Sequence, residues 1–362
     1  VDAPLRTVEV RLSGRAYTIE IGTGSARQVA LFCTRQTRYA HVVIITDDNV
    51  GPLHTGEMAQ DFDRHEIRAD VLTVPAGEKS KSVAEAARLW QQMLERGTDR
   101  KSLVVAAGGG VVGDLAGFVA ATFARGLDLV QVPTTLLAQV DSSVGGKVGI
   151  NLPEAKNIVG AFWQPRGVLV DIAFLGSLPE REYRSGLAEV VKYGVVLDAD
   201  FFAYLEQHVE QIRVRDPNVL VPVVARCCRL KADIVERDAQ ETSGLRAVLN
   251  YGHTFCHAFE ALTGYDELLH GEAVAIGMLC ASRLAERLGR IDADTTHRQA
   301  ALLTALGLPT QAPAVSPQAL LSVMRHDKKA VHGKLQFVLP ERLGHVELVG
   351  NVDDSDVTAA IG

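Results

Sequence analysis

The 362-residue chain contains no run of about 18 uncharged apolar residues, so it offers no helical membrane span. It also lacks a basic excess. Its 37 Lys and Arg stand against 44 Asp and Glu, a formal net charge of −7, which argues against a nucleic-acid binder. Cysteine is scarce and unpatterned. The five (Cys33, Cys227, Cys228, Cys256 and Cys280) are odd in number, include an adjacent pair and form no CxxC. That excludes a regular disulfide framework and points to a reducing compartment. The opening VDAPLRTVEVRL lacks the basic-then-apolar build of a signal peptide, and the expectation is a cytoplasmic protein. Internal repeats, low-complexity tracts and flexible linkers are missing too.

What is there reads as two domains sharing a tight cleft. Apolar residues make up 47% of the chain and charged residues 22%, as in ordinary globular proteins. Val8, Val10 and Leu12, then Tyr17, Ile19 and Ile21, alternate with polar residues around Ser13-Gly14, the pattern of a hairpin. HVVIIT (41 to 46) and LVVAA (103 to 107) are continuous apolar runs, as in buried parallel strands. Between them, residues 82 to 95 carry a helical apolar period, opened by Ser82 and Glu85 spaced as a capping box. Alternating strands and helices predict an α/β domain with a mainly parallel, Rossmann-like sheet over residues 1–178. Beyond it, 3.6-residue periods over roughly 180 to 196, 218 to 237, 246 to 263 and 272 to 289 predict an all-α domain over 179–362. A late hairpin, KLQFVLP with HVELV, is the one strand-like exception.

Residues 108 to 113 read Gly-Gly-Gly-Val-Val-Gly, a GxGxxG sequence after a predicted strand and before a predicted helix. Such glycines let backbone amides approach a pyrophosphate at a helix N-terminus. The loop follows an earlier βα unit instead of opening the fold, so it is not an ordinary dinucleotide fingerprint. Asp47, Asn49 and Glu78, upstream, are the candidates for holding a ribose. A second glycine-rich stretch runs from Asp141 through Lys147 to Asn151, with Lys156 and Asn157 beyond, and suits a phosphate. It is not a Walker loop, since neither Ser nor Thr follows Lys147.

Arg246, Asn250, His253 and His257 fall at offsets of 0, 4, 7 and 11, one polar line on a helix whose other face holds Val248, Leu249, Phe255, Phe259 and Leu262. A solvated surface line is ordinarily Lys and Glu, so this one is read as lining a functional site. Thr254 stands where a zinc protease would carry its Glu, which excludes that reading of the two histidines. Glu189 and His270 would complete a carboxylate-and-histidine metal set with one of the two, and spacing does not choose between His253 and His257.

Together these motifs resemble 3-dehydroquinate synthase. The similarity runs through nearly the whole chain: PAGEKSKS (75 to 82), GGGVVGDLAGFVAATFARG (108 to 126), VPTTLLAQVDSSVGGKVGIN (132 to 151), AEVVKYG (188 to 194), GLRAVLNYGHTFCHA (244 to 258) and LHGEAVAIGM (269 to 278). The resemblance implies an NAD-binding α/β domain, a helical domain, a divalent metal (zinc, with cobalt as a substitute) and a homodimer. It places the metal on Glu189, His253 and His270. It places NAD on Asp47, Asn49, Glu78, Lys81, Gly110, Val111, Val112, Gly113, Asp114, Thr134, Thr135, Lys147, Lys156, Phe174 and Ser177. Substrate falls to Asp141, Lys147, Asn157, Lys192, Lys231, Arg246, Asn250, His257 and one of Lys328 or Lys329, with Arg125 reaching into the partner subunit's site. Three residues depart from the family pattern: Val148 for a Thr, Cys256 for a Gly and Ser177 for a Thr.

The implied reaction turns 3-deoxy-arabino-heptulosonate 7-phosphate into 3-dehydroquinate and phosphate. Its steps are transient oxidation by NAD, phosphate elimination, re-reduction and intramolecular aldol closure. The alternatives are another NAD- and metal-dependent sugar-phosphate cyclase and a metal-dependent polyol dehydrogenase.

Overall fold

The computed structural model describes residues 4–264, 267–326 and 335–361. It divides into two compact units: Val1–Leu178 with Leu220–Gln240, and Pro179–Val219 with Glu241–Gly362.

The first unit is built on a seven-stranded sheet. Its strands are β1 (Arg6–Leu12), β2 (Arg15–Gly22), β3 (His41–Asp47), β4 (Arg68–Val74), β5 (Leu103–Gly108), β6 (Asp128–Pro133) and, after a separate hairpin of β7 (Lys147–Leu152) and β8 (Ala155–Phe162), β9 (Gly167–Asp171). The order across the sheet is β1-β2-β9-β6-β5-β3-β4. Only β1 runs antiparallel to its neighbour, as the hairpin pattern around Ser13-Gly14 predicts. The other pairings are parallel. The continuous apolar strands bury both faces: Val43, Ile45, Val104 and Ala106 meet helices Val83–Glu95 and Gly110–Thr122, while Val42, Ile44, Leu103 and Val105 meet Met58 and Phe62. Ser82 Oγ accepts the Glu85 N–H and starts the first of those helices where the capping pattern placed it.

The second unit is helical, with Glu180–Leu197, His253–Leu262 and His270–Arg287 as its centre. Hairpin β10 (Gln336–Arg342) and β11 (His345–Gly350) is the expected exception, and Phe337 packs on Phe255 at 5.5 Å between ring centroids.

One local expectation needs correction. The single helix expected over 246 to 263 is broken: Leu245–Asn250 winds as a tight 3₁₀ helix, and Gly252, at φ 78°, turns the chain before the α-helix begins at His253. The cause is tertiary. Tyr251 is fully buried, its hydroxyl held between the Met278 carbonyl at 2.9 Å and Gln299 Oε1 at 2.7 Å, and the chain bends to seat it. The glycine-rich stretch after Asp141, expected to suit a phosphate, forms the β7–β8 hairpin from Lys147 onward. Gly149 and Gly160 face each other there because a side chain on either would strike the opposite backbone, at 2.8 and 2.3 Å. Val148 turns its side chain onto Gly117 of the helix after the glycine loop, which explains an apolar residue at that departure from the family pattern.

Candidate active site

In the first unit the direction of the chain from β3 to β4 is opposite to that from β5 to β6, so β3 and β5 flank a switch point. Open parallel sheets bind their ligands outside the carboxyl ends of the strands at such a point. The expected nucleotide residues gather at that edge: Asp47 ends β3, Glu78 and Lys81 follow β4, Gly108 ends β5, Thr134 and Thr135 follow β6, and Phe174 and Ser177 follow β9. Gly110, Val111, Val112, Gly113 and Asp114 form the first turn and a half of the helix after β5.

Packing explains these glycines. A side chain at Gly109 or Gly110 would meet Thr135 or Ser142 at 3.0 Å, and one at Gly113 would meet Gln131 Oε1 at 2.9 Å. The Thr134 hydroxyl is buried and has no hydrogen-bond partner among the described residues. A buried hydroxyl left without a partner is costly and suits a site completed by a ligand. Loop, helix N-terminus and orphan hydroxyl together fit a pyrophosphate-bearing nucleotide.

Other expected residues are already engaged with one another. Asp47 Oδ1 accepts the N–H groups of Asn49 and Val50, at 3.0 and 2.9 Å, and shapes its own turn. Buried Lys81 lies 2.7 Å from Asp114 Oδ2 and also donates to Asn157 Oδ1. Burial raises the Asp114 pKa, with Lys81 pulling the other way. Lys231 Nζ pairs with Asp141 Oδ1 at 2.8 Å. Lys147 and Lys156 are exposed on the hairpin. Two residues that the sequence reading passed over hold this edge together. Asn151 donates to Glu78 Oε1 at 2.7 Å and accepts the Asn157 N–H at 2.8 Å. His54 bonds Ser177 Oγ at 2.9 Å and packs on Phe174, 4.6 Å between ring centroids. Asn151 lay inside a quoted motif, so its position was a signal; His54 offered none.

In the second unit three helices deliver one cluster. Glu189 comes from the middle of Glu180–Leu197, His253 begins His253–Leu262, and His270 begins His270–Arg287. Their ligand atoms all lie within 4.8 Å of one another. Glu189 Oε1 is 3.6 Å from His253 Nε2 and 3.9 Å from His270 Nε2, while Lys192 Nζ pairs with Glu189 Oε2. Small residues permit the convergence. A side chain on Gly271 would fall 1.8 Å from the Ser185 carbonyl oxygen, and one on Gly277 would fall 2.2 Å from that of Gly252. His253 Nδ1 is 3.1 Å from the Tyr251 carbonyl oxygen, which can only accept, so this nitrogen donates and Nε2 is the one turned toward Glu189. One carboxylate and two imidazoles so arranged are a donor set for a divalent ion of the zinc type.

Of the remaining expected residues, Arg246 is buried, Asn250 half-buried, and the His257 ring stands edge-on to His253 at 5.7 Å. Arg125 is exposed in the first unit, where Ala124 and Arg125 both adopt left-handed backbone at φ 49° and 70°. Lys328 and Lys329 lie outside the described residues. No described helix is long and apolar enough to cross a membrane.

Among solved structures the chain matches 2-deoxy-scyllo-inosose synthase complexed with carbaglucose-6-phosphate, NAD+ and Co2+ (TM-score 0.88, 26% identity, 98% of this chain and 99% of that one). It likewise matches 2-epi-5-epi-valiolone synthase from Streptomyces hygroscopicus, with NAD+ and Zn2+ bound (TM-score 0.87, 28% identity, 95% of each chain). Fold and site thus define a protein of the dehydroquinate synthase-like class. The family models for the 3-dehydroquinate synthase N-terminal and C-terminal regions match residues 71–185 and 186–330. The 3-dehydroquinate synthase of Rhodopirellula baltica is 50% identical over 99% of this chain and 97% of its own, and that of Geobacter metallireducens is 48% identical over 99% of each. The chain belongs to the 3-dehydroquinate synthase family.

Proposed function

We propose that this protein converts 3-deoxy-arabino-heptulosonate 7-phosphate into 3-dehydroquinate and inorganic phosphate. The observation that carries the reading is the 50% identity, over nearly the full length of both chains, to a protein named for that activity. The intact cluster of Glu189, His253 and His270 and the glycine loop at the switch point support it.

Glu189, His253 and His270 would hold the divalent ion, zinc or cobalt, whose chemistry is to lower the pKa of a bound hydroxyl. Gly110 to Asp114, with Asp47, Asn49, Glu78, Lys81, Thr134, Thr135, Lys156, Phe174 and Ser177, would hold NAD, whose chemistry is to take hydride and give it back. In the second unit, buried Arg246 offers the substrate carboxylate a two-pronged guanidinium. Lys192, Asn250 and His257 supply donors for the phosphate, and the Lys192–Glu189 pair keeps the ammonium oriented. In the first unit, Lys147 and Asn157 bind phosphate, while Lys231, fixed by Asp141, completes the charge complement. The protein acts as a cytoplasmic homodimer in which Arg125 serves the neighbouring copy. Two successive left-handed residues present that side chain outward, and strain of this kind gathers at functional sites.

A substrate panel tests the proposal. With NAD and zinc present, phosphate release is followed from the heptulosonate phosphate, glucose 6-phosphate and sedoheptulose 7-phosphate, together with absorbance at 340 nm. Release from the first alone, with no lasting NADH, is expected. Release from either of the others assigns a different cyclase, and accumulating NADH assigns a polyol dehydrogenase.

A further inference from the structure

We infer that Glu260 is a positioning residue for the metal centre, holding His270 in the tautomer and ring orientation that binding requires. The inference rests on the proposed metal site and extends it to a carboxylate outside the ligand set.

The two imidazoles of the cluster need the same service. Each must offer Nε2 as a lone pair, which requires the proton on Nδ1 and an acceptor to keep it there. For His253 the acceptor is the Tyr251 carbonyl, part of the backbone and indifferent to side-chain substitution. His270 sits at the start of its helix, and its Nδ1 faces the side chains of another helix instead. Glu260 Oε1 lies 3.1 Å from it, while Cys256 Sγ lies 3.9 Å away. An ionised carboxylate at hydrogen-bond distance is the stronger acceptor, so Nδ1–H donates to Glu260. Glu260 is itself half-buried on His253–Leu262, seven residues past His253 and on the same face. That one helix therefore contributes a ligand at its first turn and steers a second ligand from its last. Cys256, between them, is fully buried and fills the gap without replacing the carboxylate.

The test is zinc affinity by competition with a chromophoric chelator, together with the absorption spectrum of the cobalt-loaded protein. Wild type, His253→Ala, Glu260→Gln, Glu260→Ala and Cys256→Ala are compared, each checked for native circular dichroism. Tight binding by wild type that His253→Ala destroys establishes the centre itself; its absence would overturn the metal site and this inference with it. Given that centre, Glu260→Ala is expected to bind zinc roughly 10- to 100-fold more weakly. Its cobalt spectrum should change as well. Glu260→Gln, which keeps an acceptor oxygen and the side-chain volume, should recover part of the loss even if the alanine variant folds poorly. Cys256→Ala should stay close to wild type. Wild-type affinity in both Glu260 variants, or a larger loss from Cys256→Ala, overturns the role assigned to Glu260 and leaves the metal site standing.

Discussion

Several buried charges among the described residues are placed in pairs. Glu189 has Lys192 in the second unit, and Lys81 has Asp114 and Lys231 has Asp141 in the first. Removing one partner of a buried charged contact costs roughly 2–5 kcal/mol, about 30- to several thousand-fold in affinity. Arg246→Ala is therefore expected to weaken heptulosonate phosphate binding by a factor in that range and to leave NAD affinity nearly unchanged. Isothermal titration with each ligand reads both, and equal losses would contradict the carboxylate-binding role. A second residue-scale prediction concerns pH. Burial pushes the Glu272 pKa up, but hydrogen bonds from Arg181 at 2.7 Å and from the Leu269 N–H at 2.8 Å, with the Arg181 charge, bring it below its ordinary 4.5. A carboxylate with a depressed folded-state pKa contributes stability that is present above its unfolded value and lost as pH falls through the folded one. Urea unfolding between pH 6 and pH 3 should show that loss below about pH 4.5 in wild type, and Glu272→Gln should flatten part of the slope. An unchanged slope would mean that the hydrogen bonds do not hold the carboxylate ionised.

At the scale of elements, close helix approach makes the metal cluster. Helix His270–Arg287 can press against Glu180–Leu197 because Gly271 has no side chain to meet Ser185. Gly271→Ala is expected to force the helices apart, costing about 1–3 kcal/mol as overpacking does and lowering zinc affinity through displacement of His270. Thermal unfolding and chelator competition read the two effects, and a variant with native stability and native affinity would contradict the packing argument. The elements also mark how far the sequence could be read. The β3 and β5 runs, the β1–β2 hairpin and the capped helix after Ser82 were legible because their signals are local. The break at Gly252 was not, since the polar period continues through it, and the residue that forces the bend, Tyr251, is anchored 27 and 48 residues away. Glu260 was missed for a simpler reason. It continues the line of Arg246, Asn250, His253 and His257 at the next offset, 14, but the line was ended at the second histidine.

At the scale of the whole chain, each unit carries its own part of the chemistry. The first presents a glycine loop and an orphan hydroxyl at the carboxyl edge of its sheet, and the second presents a carboxylate and two oriented imidazoles. What composition could say, a globular protein with a formal net charge of −7, locates neither part of that chemistry. Long-range pairs such as Lys231 with Asp141, 90 residues apart, are set by topology and leave no trace in local pattern. The claim on which the account turns is that Glu189, His253 and His270 close on a single divalent ion. Anomalous diffraction at the zinc edge, from crystals of the zinc-loaded protein, measures this directly. The account predicts one strong peak bonded to a Glu189 carboxylate oxygen and to Nε2 of both histidines, at about 2.0–2.2 Å. A peak elsewhere, or no peak among these three side chains, would contradict it.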